Sequence, residues 1–391
     1  MNQELENRPR GGLRRRDWLA GLGGLPLGAG LLGAAASSPA QAQPRTSRPL
    51  RVAQLLDVST EQQELSRDYS TGLRIAVAEL NRGGRPWQLI SIECDGSKPS
   101  LDAAVQRLRE DGSIAMLIGT AGERLALESA AALRRDGVAI AQVGPWASDT
   151  RAEDDPAVLP LFASREDQLR RAMQDLGSMG VLDIGVVYSS ARERQALAPG
   201  VELLGTRLKL RTRSFVAPAG ADFAAWGAKI AGDSPVVMLF LGGSPELARL
   251  TQGIASAGRQ RYVVSLADVD LPTLMQLSPA RSVPLILTQV VPNPQTSVHP
   301  AVRSYRALLK ELYEEAPSHL SLAGYLAGRY AAQVVGRFDA APPSRAELLA
   351  AFQRRPGADV GGFQVSFANE ARRGSSFVSQ TMLTADGRLL G

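Results

Sequence analysis

Side chains that commonly serve as metal ligands or nucleophiles are scarce in this sequence. It contains one cysteine, Cys94, and two histidines, His299 and His319. A single cysteine cannot form an intramolecular disulfide, and two histidines without a second cysteine do not make a common Cys/His zinc site. Motifs of the GxSxG, Walker A, HExxH and paired-carboxylate types are also missing from the sequence. We therefore expect no catalytic residue, no bound metal ion and no cofactor.

The sequence around these three residues predicts packing and capping roles instead. Cys94 ends an apolar run, which is typical of a small buried residue. His299 precedes Pro300 and His319 follows Ser318, so each histidine flanks a predicted helix as a capping or solvated residue. These positions point away from covalent chemistry.

The first 42 residues have the three parts of an export signal. Three arginines at 14–16 precede a stretch of glycine, alanine and leucine that ends at Ala36, and Ala40-Gln41-Ala42 follows as a cleavage sequence. Because the apolar stretch makes a poor, weakly hydrophobic helix, we expect cleavage near Ala42 and no stable membrane anchor. Residues 15–19 (RRDWL) resemble the twin-arginine motif, and an ordinary Sec signal is the alternative. Either route through the export machinery predicts a periplasmic protein.

Composition and charge favour an ordinary layered α/β protein. The chain has 391 residues, of which 44% are hydrophobic and 21% are charged, so it has enough apolar material for a core in each of two domains. The net charge is only +5, from 44 Lys and Arg against 39 Asp and Glu. A charge of that size gives no signal for a nucleic acid partner or an anionic membrane surface.

Apolar runs of strand length alternate with helical-period segments in two series. Strands in the first series are predicted at 50–56, 87–94, 114–119 and 138–143, with helices at 61–81, 100–110 and 123–135. After a polar interruption at 145–160, the second series has strands at 184–188, 208–216, 236–241, 262–266 and 285–291, with helices at 166–179, 193–204, 222–231 and 245–257. Helices at 301–314, 320–338 and 345–354 follow, and a β-hairpin of 361–368 with 376–383 and a turn at Ala385-Asp386-Gly387 end the chain. This alternation predicts parallel sheets with right-handed crossovers.

Four segments, in this order along the chain, resemble the type I periplasmic binding proteins, and within them the leucine/isoleucine/valine-binding branch that serves ABC transporters. They are residues 72–84 (GLRIAVAELNRGG), 117–122 (LIGTAG), 288–294 (TQVVPNP) and 321–327 (SLAGYLA). The resemblance covers residues 50–389 and implies an α/β fold of two doubly wound parallel-sheet lobes joined by a three-strand hinge. Lobe 1 is then expected at 50–163 plus 298–358 and lobe 2 at 164–297 plus 359–391, with residues 43–49 as a linker after the signal at 1–42.

The resemblance also implies a function. The chain would be a periplasmic solute-binding protein of an ABC uptake transporter and not an enzyme. A small polar ligand, amino-acid-like or a carboxylate, would bind between the lobes, which would close by a hinge motion, and the closed form would dock on the ABC transporter permease. A periplasmic ligand sensor of the same fold that feeds a regulator is the alternative. An exported α/β hydrolase would need a nucleophile beside a histidine.

In this family the ligand lies at the carboxyl ends of the strands, where loops and helix N-termini offer N–H groups to an anion. The positions that the resemblance implies are Asp57, Ser59, Thr120, Gly122, Trp146 and Ser148 in the first lobe and Tyr188, Ser244 and Asp268 in the second. Thr120 or Ser148 would bind a carboxylate, and Asp268 an ammonium group. Trp146 or Tyr188 would cover the apolar part of the ligand. Helix capping, loop packing and exposed turns are the alternative roles for these residues.

One position departs from the family pattern. A small hydroxyl residue that binds the ligand carboxylate is expected beside Gly122, but Glu123 stands there and would repel a carboxylate. Because an acid in the first turn of a helix is stabilised by the helix dipole, we expect Glu123 to turn to solvent. The alternative is that the ligand is not an α-amino acid.

Overall fold

The structure, a computed structural model, describes residues 48–60, 62–84, 86–269, 274, 277, 283–338, 342–385 and 388–390. The predicted export signal lies outside these residues, as do residues 43–47 of the predicted linker and Asp386-Gly387 of the predicted turn. Within the described ranges, no helix is long and apolar enough to cross a membrane.

The first sheet consists of five parallel strands in the order β2-β1-β3-β4-β5. The strands are β1 (Leu50–Asp57), β2 (Trp87–Cys94), β3 (Met116–Ile118), β4 (Ala141–Val143) and β5 (Val158–Leu159). Three helices connect them, α1 (Gln63–Arg82), α2 (Lys98–Glu110) and α3 (Glu123–Arg135), and a short 3₁₀ helix covers Thr150–Glu153. Helix-linked parallel strands of this kind confirm the predicted α/β class.

The second sheet repeats this strand order and adds two strands at one edge. Its elements are α4 (Arg165–Ser178), β6 (Asp183–Tyr188), α5 (Ala191–Leu208), β7 (Arg211–Val216), α6 (Phe223–Ala231), β8 (Val237–Leu241), α7 (Ser244–Ser256), β9 (Tyr262–Ser265) and β10 (Leu285–Gln289). The strands β10-β9-β8-β6-β7 are parallel. Two later strands, described below, join at β10.

The last quarter of the described chain contributes three helices and four short strands. They are α8 (Pro300–Leu312), α9 (His319–Val335), α10 (Arg345–Gln353), β11 (Ala358–Val360), β12 (Phe363–Val365), β13 (Ser379–Leu383) and β14 (Leu389–Leu390), with a 3₁₀ helix at Ala368–Glu370. Capping boxes start two of the helices, at Ser164 for α4 and at Ser344 for α10.

The predicted hairpin of 361–368 with 376–383 is wrong. The strand β12 pairs antiparallel with β11 across a turn at Gly361 and Gly362, whose φ angles are +59° and +96°. The strand β13 instead pairs antiparallel with β10 and with β14. Alternation of apolar and polar residues identifies a strand but not its partner. Here the two consecutive glycines form a tight turn between β11 and β12, so β12 pairs with the strand before it rather than with the strand after it.

Both faces of each sheet are covered, which explains why the strands are nearly continuous apolar runs. Along β1, Val52 and Leu56 pack on the face that contains Tyr305 of α8, while Ala53 and Leu55 pack on the face that contains Leu108 of α2. Side chains of the second sheet divide in the same way between α6 and α7 on one face and α4 and α5 on the other. The loops at the strand ends are thereby held on two rigid layers.

Two of the segments that carried the resemblance form one close helix contact. Gly72 of α1 and Gly324 of α9 face each other's backbone: a Cβ at Gly72 would overlap the carbonyl oxygen of Ser321, and a Cβ at Gly324 would overlap that of Tyr69. Only glycine allows the two helices to approach so closely. Their contact packs α1 directly against α9.

The hairpin of β11 and β12 packs with the first sheet. Val360, Phe363 and Val365 belong to the same apolar cluster as Val52, and the Gly361 carbonyl accepts a hydrogen bond from the Ala301 N–H at 3.0 Å. These contacts favour a lobe boundary after residue 365 rather than at 358. The division into lobes stays a prediction.

Candidate functional site

A cavity of about 750 Å³ lies between the carboxyl ends of the two sheets. Its lining residues follow β1, β3, β4 and β5 of the first sheet, and lie at the ends of β8 and β9 or after β6, β8 and β9 of the second. They are Thr60, Gln62, Glu64, Leu65, Glu123, Trp146, Arg165, Ser189, Ser190, Glu193, Leu197, Phe240, Leu241, Gly242, Gly243, Ser244, Pro245, Glu246, Ser265, Leu266 and Asp268. This is the usual place and size for a small-molecule site in an open α/β sheet.

Three of the nine predicted binding residues line this cavity: Trp146, Ser244 and Asp268. The Trp146 ring is held in place by Tyr69 and Phe162, whose ring centroids lie 5.7 and 5.8 Å away. The backbone N–H of Trp146 donates to the Thr120 carbonyl at 2.8 Å, which ties the loop after β4 to the loop after β3. Trp146 therefore presents an aromatic surface that the rest of the first sheet keeps rigid.

The expectation that Glu123 turns to solvent is wrong. Glu123 lines the cavity and its Oε2 accepts two hydrogen bonds from Ser148, from the backbone N–H at 3.2 Å and from the hydroxyl at 2.6 Å. An arginine, Arg165, lies 3.4 Å from its Oε1. These specific partners outweigh the helix dipole, which would favour an acid in the first turn whichever way the side chain pointed.

Ser148 bridges carboxyl groups from both sheets. Its Oγ lies 2.6 Å from Glu123 Oε2 and 2.9 Å from Asp268 Oδ1. A serine hydroxyl has one proton to donate, so both contacts are hydrogen bonds only when one of the two carboxyls is protonated. Burial and then the nearby Asp268 charge raise the pKa of Glu123, so this carboxyl takes up a proton more readily than an exposed glutamate does.

Arg165, the first residue of α4, was not among the predicted site residues. Its Nε donates to Asp268 Oδ2 at 2.7 Å, and its other nitrogens lie 3.4 Å from Glu123 Oε1 and 3.9 Å from Glu193 Oε2. Its pKa is raised above the ordinary arginine value, chiefly by Asp268. The capping box at Ser164 was the available signal, because it places the next residue at the start of a helix that follows the crossing between the two series.

The sequence profile of the periplasmic binding protein family matches residues 49–386 of the chain. The chain belongs to this family. Its members are binding proteins rather than enzymes, so the predicted resemblance and the prediction of a non-enzyme are both confirmed. None of the curated protein sequences matches the chain significantly.

Solved structures of this periplasmic binding protein fold are similar to the chain over most of its length. A substrate-binding periplasmic protein from Ralstonia solanacearum is 22% identical with a TM-score of 0.74, over 87% of this chain and 99% of that one. A possible leucine/isoleucine/valine-binding protein from Rhodopirellula baltica is 19% identical with a TM-score of 0.74, over 90% and 98%. A fatty acid ABC transporter substrate-binding protein from Thermomonospora curvata is 13% identical with a TM-score of 0.72, over 88% and 91%. At these identities the similarity establishes the fold.

The other predicted binding residues of this chain lie beside the cavity and do not line it. Asp57 is buried and accepts from Arg124 Nη2 at 3.2 Å and from the Ser59 N–H at 3.0 Å. Gly122 precedes α3 with a φ of +107°, and a Cβ there would lie 3.2 Å from that of Asp57. Asp57, Ser59 and Gly122 thus form the support for the N-terminus of α3.

Two further predicted residues are buried. Thr120 holds Trp146 through its carbonyl, as described above, and its side chain is 2% exposed. Tyr188 ends β6 with 1% exposure, and burial raises the pKa of its hydroxyl. Ser148 also lies outside the lining but binds two residues that form it. Ligand binding by the nine residues stays a prediction.

The cysteine and the histidines play no part in the cavity lining. Cys94 is buried at the end of β2, and burial raises the pKa of its thiol to about 11. His299 precedes α8 and His319 starts α9. Burial lowers the pKa of His319 to about 4, so this ring is neutral at pH 7, and its Nε2 is buried rather than solvated. A hydrolase that pairs a cavity nucleophile with a histidine is not supported by the lining that the structure describes.

Proposed function

We propose that the chain is the periplasmic solute-binding component of an ABC uptake transporter, and that it holds a small polar ligand in the cavity between its two sheets. The chain belongs to the periplasmic binding protein family, and solved structures that share its fold include ABC transporter substrate-binding proteins, which supports the proposal. The observation that carries the proposal is the cavity itself, which is bounded by loops of both sheets and has the volume of a small-molecule site.

Residues from both sheets would hold the ligand. Trp146 would cover an apolar part, and the loop of Gly242, Gly243 and Ser244 at the N-terminus of α7 would contact polar groups. A ligand that touches both layers stabilises the conformation in which they are close together. This is the physical basis of closure by a hinge motion.

The permease is the proposed partner. Closure changes the relative position of the loops around the cavity, so a membrane protein that contacts both sides can distinguish the loaded form from the empty one. The solved structures cited above are named for amino acids and for a fatty acid. The same fold therefore binds different ligand classes, and the residues of the cavity determine which class this chain binds.

Export to the periplasm is part of the same proposal. The sequence of residues 1–42 supports it, with the twin-arginine route favoured by residues 15–19. The intact mass of the protein recovered from the periplasm tests it. A mass that begins at Gln43 is expected, and an uncleaved chain would contradict the proposal.

Thermal unfolding of the full chain against a ligand panel tests the binding function. The panel contains amino acids, amides, amines, aliphatic and aromatic carboxylates and short peptides. A ligand present at 100 times its Kd adds about 2.7 kcal/mol to the free energy of unfolding, so a binder raises the midpoint clearly. Replacing Trp146 with alanine should reduce that shift. A panel in which no compound raises the midpoint would contradict the proposed function.

A further inference from the structure

The charges that line the cavity point to the kind of ligand. Of the six ionisable side chains in the described lining, five are acidic and one is basic: Glu64, Glu123, Glu193, Glu246 and Asp268 against Arg165. Resting on the proposed function, we propose that this cavity binds a small organic cation, such as an amine with its carboxylate absent or masked, rather than a free carboxylate. The predicted amino-acid-like shape is compatible with this, whereas a carboxylate ligand is not.

Arg165 does not balance the acids around it. One guanidinium faces three carboxyl groups, from Asp268 at 2.7 Å, Glu123 at 3.4 Å and Glu193 at 3.9 Å. Its side chain is 20% exposed and the three carboxyls are between 25% and 29% exposed, so solvent screens this cluster only partly. With all three acids ionised, the cluster has two negative charges in excess.

Neighbouring arginines are engaged elsewhere. Arg151 binds both carboxylate oxygens of Asp149, with its Nη2 2.6 Å from Oδ2 and its Nε 3.1 Å from Oδ1. Arg124 binds Asp57 at 3.2 Å and Glu128 at 3.0 Å. Neither arginine lines the cavity, so neither offers its charge to an anionic ligand there.

An anion and a cation therefore meet opposite conditions. A ligand carboxylate would enter next to several carboxylates whose repulsion is only partly screened, whereas an ammonium group would gain charge-assisted hydrogen bonds to acids already held in position. The glycine-rich loop at α7 offers the dipole of a helix N-terminus, but Glu246 in the first turn of that helix opposes an anion at the same place.

The position of Glu123 beside Ser148 and Asp268 adds a measurable consequence. Burial and the Asp268 charge raise the pKa of Glu123, and a bound cation would lower it again. Cation binding should thus release a proton, and the affinity should rise with pH as Glu123 ionises. The charged groups that act on Glu123 are Asp149, Arg151, Arg165 and Asp268, and Glu193 lies on the far side of Arg165.

Calorimetric titration of the full chain with charge-matched pairs tests the proposal. The pairs share one skeleton each: isopentylamine with 4-methylpentanoate, phenethylamine with 3-phenylpropanoate, and leucinamide with leucine. We expect the cation of at least one pair to bind at least tenfold more tightly than its partner, and added salt to weaken it. A carboxylate or leucine that binds as tightly as its cationic counterpart would overturn the inference while leaving the proposed function intact. Binding by no compound of either charge would contradict both.

Charge-neutral variants locate the effect. Glu193→Gln and Glu246→Gln should each weaken the binding of the cation by about fivefold to tenfold, because each removes one carboxylate from the lining. Glu128→Gln is the matched control, since Glu128 lies on α3 with Glu123 but not in the lining. Thermal midpoints of the ligand-free variants show whether each one is folded. Unchanged affinity in both cavity variants would overturn the inference.

Discussion

At the level of single residues, Ser148 faces two carboxyl groups with one proton to donate. Ser148 thereby connects Glu123, which follows a strand of the first sheet, with Asp268, which follows a strand of the second. This geometry makes the connection depend on pH. The folded-state pKa of Glu123 is raised, so its protonated form stabilises the folded state at low pH, and that contribution is lost as the pH rises through the raised value.

The variant Glu123→Gln isolates this effect. A glutamine amide can donate to the Ser148 hydroxyl at any pH, so the wild type should lose thermal stability relative to Glu123→Gln as the pH rises above the ordinary glutamate pKa of about 4.3. Midpoints of ligand-free protein measured across this range check the prediction. A difference between the two proteins that does not change with pH would show that the folded state does not raise the pKa of Glu123.

Arg373 is a buried arginine that does not line the cavity but connects the loops after β4 and β5. Its Nε donates to Glu153 at 2.7 Å, and its Nη1 donates to the carbonyls of Ala147 and Phe162 at 2.8 and 2.9 Å. Its Nη2 donates to a third carbonyl, that of Asp149, at 2.9 Å. Arg373→Met would leave one carboxylate and three carbonyls without this partner, and we expect a loss of about 3 kcal/mol in the free energy of unfolding. Denaturant unfolding measures it.

Arg372→Met provides the comparison for Arg373. The Arg372 side chain is 61% exposed and lies 3.8 Å from an exposed Asp154, so its removal should change stability by less than about 1 kcal/mol. Similar losses for the two variants would mean that the Arg373 contacts do not hold the loops after β4 and β5 together.

The direction in which each side chain points was the feature of the site that the sequence predicted least well. Trp146 and Asp268 were found because they follow strands, and every residue that follows a strand of a parallel sheet lies near its ligand edge. The side-chain direction of Glu123 depended on Ser148 and Arg165, which are distant from it in sequence. For Arg165 the capping box at Ser164 indicates the start of a helix, but that pattern gives no information about which side chains the arginine contacts.

At the level of elements, the contact between α1 and α9 has no room for a side chain at Gly324. Gly324→Ala would force the helices apart at the Tyr69 carbonyl, and we expect a loss of about 1–3 kcal/mol in the free energy of unfolding. Thermal or denaturant unfolding checks it. A neutral effect would mean that the two helices pack less closely than described.

Gly200 of α5 is the matched helical glycine. A Cβ there would meet no atom within 4 Å, so Gly200→Ala should stabilise the protein by about 0.5–1 kcal/mol through higher helix propensity. The two substitutions are chemically identical and have opposite predicted signs. Destabilisation by both would attribute the Gly324 effect to something other than the helix contact.

Elements with local signals were predicted well. Helix α3 begins and ends at the predicted residues 123 and 135, because its apolar period is regular and a glycine precedes it. The pairing of strands was harder to predict from the sequence. The position of β13 beside β10 depends on pairing between residues that are almost a hundred positions apart. The sequence pattern of a strand contains no information about a partner that distant.

At the level of the whole molecule, the fold positions two rigid layers around one cavity. Each sheet is packed on both faces by its own helices, whereas the layers meet at the cavity through Ser148, Arg165 and Asp268. A structure built this way can change the distance between its layers without repacking either core. The account therefore predicts motion of the layers relative to each other when ligand binds.

The distance between one label on each layer is the most direct test. Spin labels at cysteines introduced at the exposed positions Glu128 of α3 and Glu202 of α5 would report it, while the native Cys94 is buried with a pKa raised to about 11 and should not react. The compound found in the unfolding panel should shorten and narrow the distribution of distances. Ligand binding with an unchanged distribution would contradict a binding protein that closes on its ligand.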